Sequence, residues 1–405
     1  MRKQTLDDLT SDALAGRRVL VRVDYNVPVE NGRVTDDTRI RATLPTLRHL
    51  LSKGAGLVLV SHLGRPKAKW KPEFSLAPAA DRLRQLIDAP VKFVADIVGA
   101  DAKAAVASLR PGEILVLENV RFLAGEEAND PELSAVLAAY GDLYVNDAFG
   151  TAHRAHATTA GVAEVMKAAG KPAVAGYLIE KELRFLGQAL SSPERPFSAI
   201  LGGAKISGKL DVIEKLLPQV DHLLIGGAMA NTFFRALGLE TGKSLVEEDR
   251  VEMARALLAR AGEKLVLPVD CVVAAEASAQ AAVQVVDRDR IPAESAVYDL
   301  GPRSVAVFAD ILKRSRTILW NGPVGLFEVD AFAAGTRHLA QVLADAAGAG
   351  AVAVVGGGDT AAAVVEAGLA GRMTHVSTGG GASLEFLEGR ALPGVEVLDD
   401  AEAPA

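Results

Sequence analysis

Nine short runs of β-branched and aliphatic residues, each followed by a stretch with helical spacing, limit what this chain can become. They are Val19–Val23, Leu57–Val60, Ile114–Leu117, Leu143–Val145, Ala199–Leu201, Leu223–Ile225, Leu265–Leu267, Ile318–Leu319 and Ala351–Val355. Strands that alternate with helices form βαβ units and hence parallel sheets. Nine strands are awkward in one open sheet, and 405 residues suffice for two or three domains with properly buried cores. Ser191-Ser192-Pro193-Glu194-Arg195-Pro196 interrupts the helical pattern near the middle. The expectation is therefore an α/β protein of two domains, residues 1–173 and 193–389, with 174–192 as connecting helix and hinge. Leu178, Lys181, Glu182, Phe185 and Leu186 carry that connector's helical spacing, read from Val174 to Ala189. Gln284 to Ser304 is polar and irregular, and reads as a β-rich excursion in the second domain. The tail, 390–405, is expected to pack back on the first domain, with fraying from Asp399 onward.

Charge and composition exclude several function classes. Forty-four basic against 51 acidic residues leave a net charge of −7, which argues against nucleic acid or an acidic membrane as main partner. Any basic site must be local. The single cysteine, Cys271, rules out an internal disulfide or a cysteine metal cluster; within the apolar run Leu265 to Ala275 it reads as a buried structural thiol in a reducing compartment. The start, Met1 to Asp8, meets acids before any apolar signal region forms, and Ala351 to Ala370 is interrupted by Gly356-Gly357-Gly358-Asp359 and by Glu366. A cytoplasmic protein without a membrane span is the expectation.

In parallel α/β sheets ligands bind beyond the carboxyl ends of strands, so the residues there carry the chemistry. After the strands of the first half come Asp24-Tyr25-Asn26, His62-Leu63-Gly64-Arg65, Glu118-Asn119-Val120-Arg121 and Asn146 to His156, which includes His153 and Arg154; Arg39 opens a helix after Asp36-Asp37. Arginines from four segments with three histidines suit an acidic, phosphate-bearing substrate, because guanidinium forks clamp phosphate bidentately. A metal site at His153 and His156 is disfavoured, since no His-x-x-x-His pair on a helix accompanies them.

The second half offers glycines: Gly202-Gly203-Ala204-Lys205, Gly226-Gly227-Ala228-Met229, Asn321-Gly322-Pro323-Val324-Gly325, Gly356-Gly357-Gly358-Asp359-Thr360 and Thr378-Gly379-Gly380-Gly381-Ala382-Ser383. Backbone without Cβ can approach a polyphosphate or adenine closely, and helix N-termini add N–H donors. Lys205 and Lys209, spaced as one helical turn with no acid three or four positions away, add a phosphate socket; alone they would be compatible with a solvated basic face. Gly203 to Lys209 matches G-x-x-x-x-G-K, but Leu210 replaces the Ser or Thr a P-loop needs for magnesium. Gly356-x-Gly358-x-x-Ala361 matches a dinucleotide fingerprint, yet no acid follows the strand Thr374 to Val376 to hold a ribose. Asp359 would repel pyrophosphate unless it holds Mg²⁺; capping its helix is the alternative role.

These residues together resemble the phosphoglycerate kinase family. The resemblance runs from Val19–Pro28 through Asn146–His156, Leu201–Lys209, Trp320–Glu328 and Gly356–Thr360 to His375–Leu384, essentially the whole chain. It implies two Rossmann-like domains with parallel sheets in a two-lobed monomer. It also implies reversible phosphoryl transfer from 1,3-bisphosphoglycerate to ADP, giving 3-phosphoglycerate and MgATP, a glycolytic step. By resemblance Asp24, Tyr25, Asn26, Arg39, His62, Leu63, Gly64, Arg65, Arg121, His153 and Arg154 form the phosphoglycerate site. Gly203, Ala204, Lys205, Lys209, Gly227, Ala228, Asn321, Pro323, Leu326, Glu328 and Gly357 to Thr360 form the nucleotide site, with Glu328 on the ribose and Asp359 on Mg²⁺. Ala228 stands where many members have a third glycine, and Gly208 where a polar residue is usual. Both nucleophiles, a phosphate oxygen or a carboxylate, are ionised at neutral pH, so no general base is required. Catalysis reduces to alignment and charge neutralisation by Arg39, Lys205, Lys209 and the backbone at Gly358 and Gly381, after hinge closure. A dehydrogenase and a non-enzymatic anion-binding protein are the competing readings; the first lacks its ribose acid, and the second leaves the glycines unexplained.

Overall fold

In the computed structural model, which describes residues 2–401, the chain divides into two compact units: residues up to Leu183 together with those from Ala391 onward, and Arg184–Arg390. The first unit contains β1 (Arg18–Val23), β2 (Val29–Glu30), β3 (Arg33–Val34), β4 (Gly56–Val60), β5 (Val91–Phe93), β6 (Ile114–Val116), β7 (Leu143–Asp147) and β8 (Ala173–Ala175). Six of them form one parallel sheet in the order β5-β6-β4-β1-β7-β8, and β2 and β3 make a small antiparallel ribbon. Every residue of β4 and β7 is buried, as expected of strands covered by helices on both faces.

The second unit contains β9 (Phe197–Leu201), β10 (His222–Ile225), β11 (Leu265–Val266), β12 (Asp270–Ala274), β13 (Gln284–Asp287), β14 (Ala296–Leu300), β15 (Thr317–Asn321), β16 (Val352–Gly356) and β17 (His375–Val376). Its parallel sheet runs β11-β10-β9-β15-β16-β17, and the order reverses between β9 and β15. That reversal opens a crevice beyond their carboxyl ends. The remaining strands, β13-β12-β14, form an antiparallel sheet, which places the β-rich excursion on residues 270–300.

Several local expectations are corrected. Residues 173–175 form an edge strand rather than the start of a helix, and the connecting helix is Tyr177–Ser191. Lys205 and Lys209 do not lie on a helix: the helix starts at Leu210, and both lysines belong to the loop before it, so Gly208 costs no helix stability. Asp359 is not a cap either. Gly357, at φ +88°, occupies that position, and Asp359 is the second residue of the helix Gly358–Glu366. The tail is ordered through residue 401: the Gln4 N–H donates to Asp399 O, the Asp399 N–H to Ala173 O, and Lys3 pairs with Asp400 at 2.9 Å. Residues 402–405 lie outside the described residues. Among the described residues no helix is long and apolar enough to cross a membrane.

Candidate active site

In the first unit the loops after β1, β4 and β6 are tied to one another by the side chains that sequence reasoning singled out. Asp24, nearly buried, accepts from Arg39 Nη1 at 3.0 Å, and the same nitrogen donates to Asn26 O at 3.2 Å. The Gly64 N–H donates to Asn26 Oδ1 at 2.8 Å, and Arg121 Nη1 donates to Gly64 O at 2.8 Å. Gly64 sits at φ +61°, and a Cβ there would lie 2.3 Å from the Phe74 ring, so both backbone and space demand glycine. Leu63 is buried, its carbonyl held by Asn119 Nδ2 at 2.7 Å. Tyr25 points into the core toward Thr43 and offers a ligand no side-chain atom. Arg154 Nε donates to His153 Nε2 at 3.0 Å on an exposed turn, and Arg65 is exposed on the β4 loop.

Positive charge is concentrated here. His62 is buried and its pKa is held well below the usual histidine range, first by burial and then by Arg22, Arg121, Arg39 and His156. His156 is pushed down to about 4, by burial and then by Arg121 and Arg22. Both rings are therefore neutral near pH 7 and present dipoles rather than charges beside the arginines. Sequence reasoning missed Arg22: inside a β-branched run it looked like a strand residue, yet it is almost fully buried and bonds His62. The signal was there, because a buried arginine must find partners.

In the second unit three loops interlock at the β9–β15 crevice. The Gly203 N–H donates to Pro323 O at 2.9 Å, the Gly227 N–H to Val324 O at 3.0 Å, and the Met229 N–H to Gly203 O at 3.1 Å. A Cβ on Gly202 would meet Pro323 O at 2.2 Å, one on Gly227 would meet Gly203 at 2.6 Å, and one on Gly322 would meet Gly202 O at 2.3 Å. These glycines are required by contact between loops. Gly203 (φ +101°) and Gly358, by contrast, have open space where a Cβ would stand. At glycines of this second kind a ligand can approach the backbone from the side a Cβ would occupy.

Lys209 is half-buried and donates to Asn321 Oδ1; burial pushes its ammonium down to about 8 against the pull of Asp359 and Glu388. Thr360 is buried and its hydroxyl accepts from the Gly322 N–H at 2.6 Å, which fixes the β15 and β16 loops to each other. Leu326 donates its N–H to Tyr298 O at 2.8 Å. Ala204, Lys205, Gly358, Asp359 and Glu328 are exposed, and Ala228 precedes the helix Met229–Ala236. Glu328 stands farther along the β15 loop and Gly381 opens the helix Gly381–Leu387; among the described residues no hydrogen bond joins either to the Gly203 or Gly227 loops. Cys271 is buried on β12 with its thiol pushed up to about 12, and is chemically inert.

An exposed carboxylate at the glycine-rich start of a helix suits Mg²⁺, which is commonly held by one or two carboxylates plus substrate phosphates. The Asp359 carboxylate makes no hydrogen bond or ion pair among the described residues, so it is available for that role. No three His, Cys, Asp or Glu among the described residues gather into an all-protein metal cage.

Comparison with known proteins agrees with this geometry along the whole chain. The family model "Phosphoglycerate kinase" matches residues 6–390. A phosphoglycerate kinase of Chloroflexus aurantiacus is 56% identical over 408 residues, covering 99% of this chain and all of that one. One from Chlorobium luteolum is 54% identical, covering 98% of this chain and all of its own length. Among solved structures, phosphoglycerate kinase from Coxiella burnetii superposes with a TM-score of 0.86 at 41% identity, covering 98% of each chain. The enzyme from Pyrococcus horikoshii OT3 does so with 0.84 at 33%, also covering 98% of each. With an arginine rim on one parallel sheet, interlocked glycine loops on the other, and relatives matched end to end, this chain belongs to the phosphoglycerate kinase family, phosphotransferases that use a carboxyl group as acceptor.

Proposed function

We propose that the family's reaction, phosphoryl transfer between 1,3-bisphosphoglycerate and ADP, is divided between the two units of this chain. The first unit binds phosphoglycerate: Arg39, Arg65, Arg121 and Arg154 neutralise its phosphate and carboxylate, while Asp24, Asn26 and neutral His62 supply polar contacts. The second unit binds the nucleotide through the Gly203 and Gly357–Gly358 backbone, Lys205, Lys209, Asn321, Gly227, Ala228, Pro323 and Leu326, with Glu328 on the ribose. Asp359 would hold Mg²⁺, which supplies charge neutralisation on the nucleotide phosphates. Arg39, Lys205 and the backbone N–H groups at Gly358 and Gly381 stabilise charge on the phosphoryl group in flight. Reaction requires the attacking and leaving oxygens in line, with the attacking atom within ~3–3.5 Å of phosphorus, and a step that excludes water protects the acyl phosphate. Closure about a hinge in 174–192, with the Thr378–Ser383 glycines contributing, meets both needs. A cytoplasmic monomer completes the reading.

The observation that carries it is the chemical difference between the two sets of strand ends. One gathers Arg22, Arg39 and Arg121 around a buried His62; the other gathers glycine loops and Lys209 around a crevice. The test is ADP formation from ATP and 3-phosphoglycerate in a coupled assay. Turnover must require both substrates and magnesium; absence of turnover in folded protein overturns the reading.

A further inference from the structure

Behind the arginine rim runs a buried chain of hydrogen bonds that ends at His62. Glu126, fully buried in the short helix Ala124–Glu127, accepts from the Thr158 N–H at 3.0 Å and from the Thr158 hydroxyl at 2.5 Å. Having donated its proton to Glu126, that hydroxyl accepts from Arg22 Nε at 2.9 Å. Arg22 spends Nη1 on Val23 O, and its Nη2 lies 3.2 Å from His62 Nδ1. Tyr144 Oη holds Thr158 from the other side, donating to its carbonyl at 2.7 Å. All these groups are buried, so each bond is made in low dielectric, where a missing partner is expensive.

The donor inventory of this chain fixes its direction. A guanidinium has only donors, so the imidazole nitrogen facing Arg22 must be the acceptor. The proton of neutral His62 is then on Nε2, the nitrogen turned away from Arg22. We infer that Thr158, anchored by Glu126 and acting through Arg22, is a positioning residue that locks His62 as the Nε2–H tautomer, so that His62 gives phosphoglycerate an uncharged N–H donor in a fixed direction. This inference rests on the proposed phosphoglycerate site. Arg39, Arg121 and His156 also face His62, and their charges and dipoles disfavour its protonation, which leaves the tautomer as the property the chain must set.

A single donor of fixed direction beside several arginines suits a ligand with both anionic and hydroxyl groups. The guanidinium forks take the anions, and an imidazole N–H can take the neutral oxygen. A charged His62 would add another nonspecific cation, and the Nδ1–H tautomer would set two donors against each other at Arg22.

The test is ¹⁵N NMR of histidine-labelled protein without substrate, with His62 assigned by its loss in His62→Gln. Wild-type protein is expected to show a pyridine-type Nδ1 and a pyrrole-type Nε2 from pH 6 to 8. Thr158→Val keeps the shape but removes the hydroxyl. It should mix the tautomers and raise KM for 3-phosphoglycerate about tenfold with kcat nearly kept, and Thr158→Ser should restore both. A protonated Nδ1 in wild-type protein overturns the inference whatever the enzyme does. So does a Thr158→Val protein with unchanged tautomer and unchanged KM. Loss of 3-phosphoglycerate turnover in wild-type protein overturns the functional reading instead, since the NMR signature needs no substrate.

Discussion

Asp147 should make the first unit lose stability as pH rises toward neutrality. It ends β7 beside the start of the helix Tyr177–Ser191, where Oδ1 accepts from the Leu178 N–H at 2.8 Å. Burial pushes its pKa up to about 7 from an ordinary value of 3.8, against the pull of the N–H groups of Leu178 and Ile179 and of Thr46. A folded-state pKa above the unfolded one means the native state binds the extra proton between the two. The stabilisation is full below about pH 4 and is lost as pH rises through 7. A displacement of about three units corresponds to roughly 4 kcal/mol over that window, or about 1.4 kcal/mol per pH unit. Asp147→Asn keeps the acceptor and never ionises. Urea unfolding of wild type and variant from pH 5 to 8, followed by a probe in the first unit, should show the variant gaining on wild type at each step, and levelling above pH 7. Asp299, raised to about 7 by its own burial, acts with the same sign in the second unit and cancels in the comparison. A difference that does not change with pH would mean Asp147 stays ionised as a helix cap, and the burial argument would fail.

Four further outcomes are expected. Arg39→Ala should lower turnover by roughly 10²–10³ while nucleotide affinity, measured by calorimetry, stays near wild type; turnover within a few-fold would make Arg39 only the partner of Asp24. Asp359→Asn should melt within a degree or two of wild type, because the residue is exposed and is not the cap, yet bind MgADP poorly; unchanged magnesium dependence would remove Asp359 from the metal site. With its ammonium near 8, Lys209 should lose charge between pH 7 and 9, so ADP affinity should fall across that range in wild type and not in Lys209→Met. Small-angle scattering should show the smallest radius of gyration when both substrates are bound; the same radius in apo, singly and doubly liganded active protein would reject large-scale closure.

Both parallel sheets were legible because their strands are buried on two faces and read as unbroken β-branched runs. Val91–Phe93 and Ala173–Ala175 were not: three residues carry no period, and Ala173-Val174-Ala175 runs straight into a helical pattern. The two lysines misled for a physical reason. Four-residue spacing is the helix signal, but the backbone from Gly202 to Lys209 is held as a loop by bonds to Asn321 and Pro323, which lie more than a hundred residues away. The same long-range contacts explain why the glycines looked uniform in sequence. Only the packed structure separates Gly202 and Gly322, which meet each other, from Gly203 and Gly358, which face open space. The arginine rim was readable because strand ends are predictable; Arg22 and Glu126 were not, because the tertiary fold pairs them through Thr158.

Residues 391–401 belong to the unit that the N-terminal half builds. The Gly394 N–H donates to Ala152 O, Asn146 Nδ2 to Gly394 O, and the Ala173 N–H to Asp399 Oδ2, each at 2.8 Å. A ribosome therefore finishes every residue of the continuous unit, 184–390, before it delivers the last piece of the discontinuous one. Until those residues are made, Ala152, Asn146 and Ala173 lack these partners, although the rest of their unit emerged first. The order of completion is the reverse of the order of translation, and a premature stop near residue 390 would leave 184–390 whole while depriving the first unit of these contacts.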